Sequence, residues 1–254
     1  MLTQKNGPSA YPAICENWFE RRESFRSGLP PEQLEALNAI ARRRLIPAEQ
    51  TLFEEGAAPE WYATILRGVV KLTKTAAAGD YHIVALKYPS EFLGYESGDR
   101  HRYSAVAGTD VELCCYPGRE FRRLFSQFPE FERQILKLTL QELDFSREWA
   151  LLLRGTSSFE RVANLLLMIA QRASEEETFA GDEGGARLQL PLNRAELADY
   201  LGLTVETVSR AFTQLRNKGL IELQTPREIV VRSRKLLSAA VTKRSFGEDY
   251  WGSV

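Results

Sequence analysis

The chain has 254 residues, a formal net charge of −1 and a hydrophobic fraction of 44%. This length suits one large domain or two small ones with a packed core. No apolar run reaches the ~18–20 residues of a membrane span, and the first residues do not resemble a secretory signal. The three cysteines are too few for a disulfide scaffold. We therefore expect a cytoplasmic protein without a membrane partner, in which any signal for nucleic-acid binding must be local.

The N-terminal part begins with mixed and charged residues and then turns helical. Residues 1–28 show no regular pattern and are predicted to be a loosely packed lead-in. Pro30 and Pro31 fit the first turn of a helix. Apolar residues then recur at helical spacing, namely Leu34, Leu37, Ile40 and Ala41.

A series of short apolar runs, interrupted by Gly and Pro, begins near Leu45. The runs are Thr51–Phe53, Tyr62–Leu66, Val69–Leu72, His82–Leu86, Glu91–Gly94, Ser104–Ala107 and Val111–Cys115. Many short strands with turns every ~8–12 residues indicate an all-β sandwich or barrel. Gly79-Asp80 lies between two of the runs, which predicts a hairpin turn.

Residues 129–153 have no internal Gly or Pro and predict one long helix with two apolar stripes. One stripe contains Phe131, Ile135, Leu138, Phe145, Trp149 and Leu152, and the other contains Leu136, Leu140, Leu143 and Leu153. Two apolar faces need two surfaces to pack against. One surface is the β domain, and the other is a partner helix in a dimer. The alternative is a helix that is fully buried within a monomer.

A second domain is predicted after the segment Gly155-Thr156-Ser157-Ser158. Thr156 or Ser157 can cap the helix that follows. The acidic and Gly-rich residues 174–186 then predict a solvated loop, and Arg187–Leu190 predicts a short strand.

Residues 193–218 predict a helix-turn-helix, which is the DNA-reading part of the chain. Asn193 and Glu196 fit a capping box at the start of the helix Arg194–Leu201. Gly202 ends that helix, and Thr204 caps a second one that runs from Val205 to about Lys218. The predicted buried seam consists of Leu197, Leu201, Val208, Phe212 and Leu215, with the small Ala198 at the crossing. The alternative is a helical hairpin that serves packing alone.

The start of the second helix carries side chains that suit base recognition. Arg210 can make a bidentate contact with guanine, Glu206 can accept from the amine of cytosine, and Ser209 can bond either way. These N-terminal residues of a recognition helix face the major groove. The residues predicted to contact the DNA backbone are Arg194, Thr204, Thr207, Arg216 and Lys218. Two short strands, Leu220–Leu223 and Ile229–Arg232, would form a wing after the helix.

These features together resemble the CRP/FNR family of bacterial transcription regulators. The segment Leu201-Gly-Leu-Thr-Val-Glu-Thr-Val-Ser-Arg210 is similar to the recognition segment of its FNR and FixK branches. The glycine-punctuated region with Leu52–Gly56, Gly68 and Phe92–Gly94 looks like the family's cyclic-nucleotide-binding-type β roll. The resemblance runs from about residue 30 to residue 236.

The resemblance implies an α+β fold with an N-terminal β roll, a long dimerisation helix and a C-terminal winged helix-turn-helix. The implied divisions are a lead-in at 1–28, a β-roll sensor or effector domain at 29–128, the dimerisation helix at 129–154, the DNA-binding domain at 155–236 and a tail at 237–254. It further implies a homodimer that reads a palindromic TTGAT-type site through Glu206, Ser209 and Arg210. The half-sites of such a site lie about one helical turn apart (~34 Å). RNA polymerase is the implied partner for activation, and low-oxygen or respiratory genes are the implied targets.

The effector of this chain is left open by the sequence. Cyclic-AMP-binding members of the family place a glutamate after the Phe-x-Gly strand to hold the ribose, and Tyr95 replaces it here. Arg102 can still meet a phosphate, although its spacing is altered, and the alternative is a polar surface loop. An effector-gated regulator with a small ligand, haem or nucleotide in the β roll is therefore the alternative hypothesis.

The cysteines do not complete the iron–sulfur ligand set of the FNR branch, which uses four. Cys114 matches the internal position and Cys15 lies near the first N-terminal one, but Trp18 and Ser24 stand at the others. No cofactor is evident, as in the FixK branch. Cys114 and Cys115 would point to opposite faces of a strand, which disfavours a bond between them. All three cysteines stay candidates for thiol regulation, which requires an exposed thiolate.

The remaining classes of function find less support. His82, one of two histidines, could ligate haem, but a lone histidine is more often structural, and no metal-ligand spacing appears. A ligand-binding module that never touches DNA would not need the helix-turn-helix. An enzyme is not expected, because no nucleophile-with-base set, phosphate loop or carboxylate pair stands out.

Overall fold

The computed structural model of the protein describes residues 25–26, 28–76, 81–94, 99–172 and 185–241. Several predictions fall outside these ranges, namely those on Cys15, Trp18, Ser24, Gly79-Asp80, Tyr95 and the tail beyond residue 241.

The N-terminal domain is a β roll made of two four-stranded antiparallel sheets. Its strands are β1 (Arg42–Ile46), β2 (Thr51–Phe53), β3 (Trp61–Arg67), β4 (Val70–Thr75), β5 (Tyr81–Lys87), β6 (Phe92–Leu93), β7 (Ser104–Ala107) and β8 (Val111–Pro117). The strand order is β1-β8-β3-β6 in one sheet and β2-β7-β4-β5 in the other. Apolar side chains from both sheets, such as Val70, Leu113 and Cys115, form a common core. Every apolar run predicted in this region coincides with a strand.

Strand β1 is missing from the sequence prediction, in which the β pattern begins only near Leu45. The three arginines at 42–44 are exposed, so the alternation of apolar and polar side chains that marks a half-buried strand is absent. Antiparallel pairing with β8 along its whole length holds this edge strand in place.

Helices cover the outer face of the β1-β8-β3-β6 sheet. They are α1 (Pro31–Ile40), α2 (Gly118–Gln127) and the first half of α3 (Pro129–Gly155). The sequence did not predict α2, which packs Phe121 and Leu124 onto Tyr62 and Tyr116 of the sheet. Because α2 and α3 are separated only by Phe128, the β domain leads directly into the long helix.

The end of the lead-in is part of this core, which corrects the prediction of a loosely packed segment up to residue 28. Phe25 is fully buried, and its ring centroid lies 5.0 Å from that of Phe92 and 5.3 Å from that of Phe131. Arg26 is also buried, and its Nη1 donates to the hydroxyl of Tyr116 at 3.4 Å. An aromatic side chain that fills a core in this way leaves no periodic signal in the surrounding sequence.

The two stripes predicted on α3 differ in burial as expected. Phe131, Ile135, Trp149 and Leu152 are buried against the rest of the chain. The opposite face exposes four leucines, with exposed fractions of 57% for Leu136, 53% for Leu140, 43% for Leu143 and 70% for Leu151. Leu153 was predicted to belong to the second stripe, but it packs partly buried against the core, and Leu151 extends the exposed stripe instead.

The C-terminal domain combines helices with a small sheet. Its elements are α4 (Ser158–Arg172), β9 (Ala186–Gln189), α5 (Arg194–Leu201), α6 (Val205–Asn217), β10 (Ile221–Leu223), β11 (Glu228–Val231) and α7 (Arg234–Ala239). The strands form an antiparallel sheet in the order β10-β11-β9. The core of this domain continues into Ile83 and Leu86 of strand β5, so that the two domains share one apolar cluster. The α+β fold with β roll, long helix and winged helix-turn-helix is thereby confirmed.

Helix α7 (Arg234–Ala239) crosses the predicted boundary between the DNA-binding domain, which ends at residue 236, and the tail, which begins at residue 237. Leu237 is fully buried and Val241 is nearly so, and both belong to the core of the C-terminal domain. The Oγ of Ser233 caps the helix by accepting from the backbone N–H of Leu236. The first residues of the predicted tail are therefore part of the folded domain.

Candidate DNA interface

Helix α5 begins at the capping box that the sequence predicts. The side-chain oxygen of Asn193 accepts from the backbone N–H groups of Ala195 (2.9 Å) and Glu196 (3.0 Å). The Glu196 carboxylate in return accepts from the backbone N–H of Asn193 at 2.8 Å. Gly202 ends the helix with φ 62°, a left-handed conformation that favours glycine. The tight turn that follows sets the angle at which α6 leaves.

The seam between α5 and α6 is dry and closely packed. Its predicted residues, Leu197, Leu201, Val208, Phe212 and Leu215, are each at most 2% exposed. Ala198 is also buried, as expected where the helices cross. The seam fixes α6 by one face, and the opposite face of α6 is left on the surface of the described chain. A hairpin used for packing alone would have no need of this polar surface.

The exposed start of α6 brings the predicted base-reading residues together. The Oγ1 of Thr204 caps the helix by accepting from the backbone N–H of Thr207 at 3.2 Å. Glu206, Ser209 and Arg210 follow on the exposed face. The hydroxyl of Ser209 donates to the carbonyl oxygen of Val205 at 2.9 Å, so its lone pairs face outward as acceptors.

The carboxyl group of Glu206 is held in its charged form. A hydrogen bond from its own backbone N–H and one from the Thr204 hydroxyl lower its pKa below the usual value, and the nearby Arg210 adds to this effect. An ionised carboxylate is acceptor-only. At neutral pH Glu206 can therefore accept from a donor such as the amine of cytosine, but it cannot donate.

The residues predicted to contact phosphates fall into two groups. Arg194 lies at the N-terminal end of α5, and Thr204 and Thr207 lie at the N-terminal end of α6, beside the base-reading residues. Arg216 and Lys218 lie at the other end of α6, roughly 15 Å along the helix axis from Glu206 at 1.5 Å per residue. The Nζ of Lys218 lies 4.5 Å from the ring centroid of Phe159, so its ammonium group makes a cation–π contact within the domain.

The wing is a short hairpin between β10 and β11. The backbone N–H of Gln224 donates to the carbonyl oxygen of Glu228, and the Thr225 hydroxyl accepts from the backbone N–H of Arg227 and Glu228. The guanidinium of Arg227 does not extend from this turn into solvent, because it donates to Glu49 of the β roll at 2.6 Å. Sequence reasoning did not single out either residue of this contact between domains.

The fold also places the residues considered for effector binding. The shared core of the β roll is apolar, and Arg102, the candidate phosphate ligand, is exposed. His101 is buried and stacks on the ring of Phe53 at 3.9 Å between centroids. A cavity of about 520 Å³ lies elsewhere, between the roll and the C-terminal domain, and is lined by Arg67, Tyr88 and Arg172 among others.

The histidine and cysteine candidates are also placed by the fold. The Nδ1 of His82 lies 2.6 Å from a carboxylate oxygen of Asp199, which is within hydrogen-bond distance. Cys114 and Cys115 are buried on opposite faces of β8, in two different cores. Burial raises the pKa of the Cys115 thiol to about 11 against the opposing effect of Arg44. The described residues contain no group of three or more metal-binding side chains, and none of their helices has the length and hydropathy of a membrane span.

The geometry agrees with comparisons to known proteins. The model of the Crp-like helix-turn-helix domain matches residues 160–240, and that of the cyclic nucleotide-binding domain matches residues 43–128. A probable transcriptional activator of Rhizobium leguminosarum bv. viciae is 37% identical over 220 residues, covering 87% of this chain and 90% of the relative. The transcriptional activator protein FnrL of Cereibacter sphaeroides is 36% identical over 200 residues, covering 79% of this chain and 80% of the relative.

A solved structure completes the comparison. FixK2 from Bradyrhizobium japonicum superposes with a TM-score of 0.68 at 28% sequence identity and covers 80% of this chain and 98% of its own. The match includes both the β roll and the helix-turn-helix, which are the two regions that the family models recognise. The chain belongs to the CRP/FNR family of transcription regulators, as an activator-type member with a DNA-binding helix-turn-helix.

Proposed function

We propose that this protein activates transcription as a homodimer that binds a palindromic TTGAT-like site and contacts RNA polymerase. The observation that carries the proposal is the exposed cluster of Glu206, Ser209 and Arg210 at the start of a firmly capped α6. Side chains at this end of a recognition helix reach base edges in the major groove. Arg210 reads a guanine, Glu206 reads a cytosine amine and Ser209 supports either contact.

The homodimer is supported by the exposed leucine stripe of α3. Leu136, Leu140, Leu143 and Leu151 follow one another at spacings of four, three and eight residues, opposite the buried face of the same helix. An apolar stripe along a long helix is the usual seam of a two-helix coiled coil. We propose that this stripe packs against the same stripe of a second copy of the chain. The two copies are then related by a two-fold axis, which matches the symmetry of a palindromic site.

The regulator is proposed to work without a bound cluster or nucleotide. This proposal is supported by the sequence, which supplies only two of the four cysteine positions of the FNR branch and has Tyr95 in place of the ribose-binding glutamate. The activity is binding and not catalysis, in the cytoplasm where DNA and RNA polymerase meet. The surface loop around Glu96–Arg102 is proposed to face the polymerase, and the targets are low-oxygen or respiratory genes by analogy with the family.

Equilibrium DNA binding tests this function. The purified protein is titrated by fluorescence anisotropy in air, at fixed salt and without an added effector, against a TTGAT-N4-ATCAA duplex and a scrambled duplex of equal length. Selective binding to the palindrome supports the proposal. Equal binding to both duplexes would mean that the half-site is wrong or that an effector must be bound first, which favours the effector-gated alternative.

A pair of arginine variants on one helix then tests the base-reading assignment. Arg210→Ala should cost ~1–3 kcal/mol on the palindrome and relax the preference for guanine at one position. Arg216→Ala is the matched control, because it removes the same charged group from the far end of α6. If Arg210→Ala weakened binding to every sequence equally, Arg210 would be a phosphate contact and the assignment would be wrong.

A further inference from the structure

A closed group of four charges joins the β roll to the DNA-binding domain. The Nζ of Lys71, on β4, lies 2.6 Å from a carboxylate oxygen of Glu196 and 2.9 Å from one of Glu49. Arg227, in the wing, completes the group at 2.6 Å from Glu49 and 3.9 Å from Glu196. Glu196 is the carboxylate of the capping box that starts α5. The β roll therefore binds the residue on which the helix-turn-helix depends for its first turn.

Two further residues, Asp199 and Tyr200, hold the same face of α5. Asp199, three residues after Glu196, accepts from the backbone N–H of Ile83 at 2.9 Å and lies 2.6 Å from Nδ1 of His82. Strand β5 is the edge of its sheet, so Asp199 satisfies a backbone donor that no neighbouring strand can reach. Tyr200, four residues after Glu196, stacks on Trp149 of α3 with 5.3 Å between ring centroids.

Burial makes the central pair more than a surface salt bridge. The side chains of Lys71 and Glu196 are only 3% and 6% exposed. Burial disfavours the charge on Lys71, but the hydrogen bonds that it donates to Glu196 and to Glu49 outweigh this effect and raise the pKa of the lysine. A buried ion pair of this kind contributes little net stability, and its best-attested role is to select one arrangement among several.

The face of α5 that packs against the β roll is separate from the face of α6 that is predicted to contact DNA bases. Glu196 and Asp199 are occupied by the roll, while Glu206, Ser209 and Arg210 remain exposed. Docking also pairs the two acidic groups of α5 that would otherwise repel phosphates. The docked arrangement thus leaves the reading surface free and favours DNA binding.

We propose that Lys71 is a positioning residue for DNA binding, which locks the helix-turn-helix to the β roll so that the two reading helices of a dimer keep the spacing of the palindrome. The inference rests on the proposed dimeric function. A dimer gains from its second half-site only if its geometry allows both contacts at once. A recognition domain that pivots on its linker would read a half-site equally well but would lose its preference for one spacing.

The experiment compares spacing preference between matched lysine variants. Lys71→Met keeps the length and apolar stem of the side chain and removes the charge. Lys74→Met is the control, because Lys74 lies on the same strand but pairs with Glu55 inside the roll. Each full-length protein is titrated against palindromes with central spacers of four and six base pairs and against a duplex with one half-site.

We expect the wild type and Lys74→Met to prefer the four-base-pair spacer by about tenfold or more, and Lys71→Met to reduce that ratio to about threefold or less. Binding to the single half-site should be equal in all three proteins, which a loss of folding would not allow. An unchanged spacing ratio in Lys71→Met would overturn the proposal. Tighter binding of this variant to the four-base-pair probe would also overturn it, because the contact would then be inhibitory.

A double variant removes the concern that one unpaired charge stays buried. Lys71→Met with Glu196→Gln eliminates both charges, and glutamine still serves in a capping box. This protein should lose spacing preference as Lys71→Met does, while circular dichroism shows it to be folded. If the wild type itself lacks a spacing preference, the proposed dimeric function fails, and this is seen before any variant is compared.

Discussion

The guanidinium carbon of Arg194 lies 3.4 Å from the ring centroid of Phe212, so the first residue of α5 packs on the core of α6. Phe212 is nearly fully buried, and burial lowers the pKa of Arg194. The Nη1 atom of Arg194 is itself buried without a hydrogen-bond partner. The side chain that the sequence assigns to a phosphate therefore also has a structural role between the two helices.

The two roles of Arg194 can be separated by the salt dependence of binding. Arg194→Gln should weaken DNA binding for all sequences alike and reduce the salt slope by about 1, because one phosphate contact is lost. It should also lower the free energy of unfolding by roughly 0.5–2 kcal/mol, the range of cation–π contacts. Anisotropy at several salt concentrations and urea unfolding give the two quantities.

Arg44→Gln is the matched control for Arg194, since Arg44 is also an arginine that faces an aromatic ring, that of Trp61, but lies on β1 of the roll. It should leave the salt slope at the wild-type value. A salt slope that is unchanged in Arg194→Gln would show that Arg194 is structural only, and the phosphate assignment would be withdrawn.

Disruption of the leucine stripe should separate the proposed dimer. Leu140→Glu places a carboxylate in the middle of the exposed stripe of α3, where two copies would meet. We expect a protein that sediments as a monomer and binds the palindrome no better than a single half-site. Because Leu140 is 53% exposed in the single chain, the fold of each copy should be preserved. Analytical ultracentrifugation and anisotropy measure both effects.

Gln141→Glu is the control for this change, because it adds the same charge to a neighbouring exposed position outside the stripe. It should leave the sedimentation coefficient at the wild-type value. A Leu140→Glu protein that still sediments as a dimer would place the interface on another surface.

Local signals made the first helix of the helix-turn-helix predictable to the residue. Asn193, Glu196 and Gly202 act within one or two turns of chain, and the predicted helix Arg194–Leu201 has the observed bounds. Strand β1 and helix α2 were missed for different reasons. Strand β1 exposes its arginines at the edge of the sheet. Helix α2 follows β8 directly, without a polar loop that would mark its start in the sequence. The side of each stripe on α3 was predicted correctly except at Leu153. This residue lies eighteen positions after Ile135, which is about five full helical turns, and therefore on the buried face.

The contacts between domains could not be predicted from the sequence. Lys71 and Glu196 are 125 residues apart, and each looks like an ordinary surface charge in its own segment. His82 was considered as a haem ligand, yet it faces Asp199, which is 117 residues away. Such pairs form only when two folded domains pack against each other. A spacing pattern in the sequence therefore cannot predict them.

Removal of the Phe25 side chain should destabilise the β domain. The ring is fully buried among Phe92, Phe121 and Phe131, so Phe25→Ala leaves a cavity and should cost ~3–5 kcal/mol of unfolding free energy. Tyr81→Ala removes an aromatic side chain that is 57% exposed and should cost much less. Urea unfolding followed by circular dichroism compares them. Equal stability of Phe25→Ala and the wild type would mean that the lead-in does not anchor in the core.

The cysteines of β8 should resist thiol reagents in the folded protein. Cys114 and Cys115 are 1% and 4% exposed, and the pKa of Cys115 is raised to about 11. At pH 8 this thiol is almost wholly protonated, and its reactive thiolate fraction grows only as the pH approaches 11. In a Cys15→Ser variant, the reaction with an aromatic disulfide reagent should therefore be slow at pH 8, and both thiols should react at once in urea.

The same variant decides whether the β8 thiols can act as a redox sensor. A sensor thiol must react faster than the protein unfolds, because the signal would otherwise require loss of the fold. If reagent uptake at pH 8 follows the rate of global unfolding, Cys114 and Cys115 are structural. Rapid uptake without unfolding would reveal local opening of the β1-β8 edge and would make these two residues the site of thiol regulation. Cys115→Ser, measured beside Cys114→Ser, would then identify the reacting side chain.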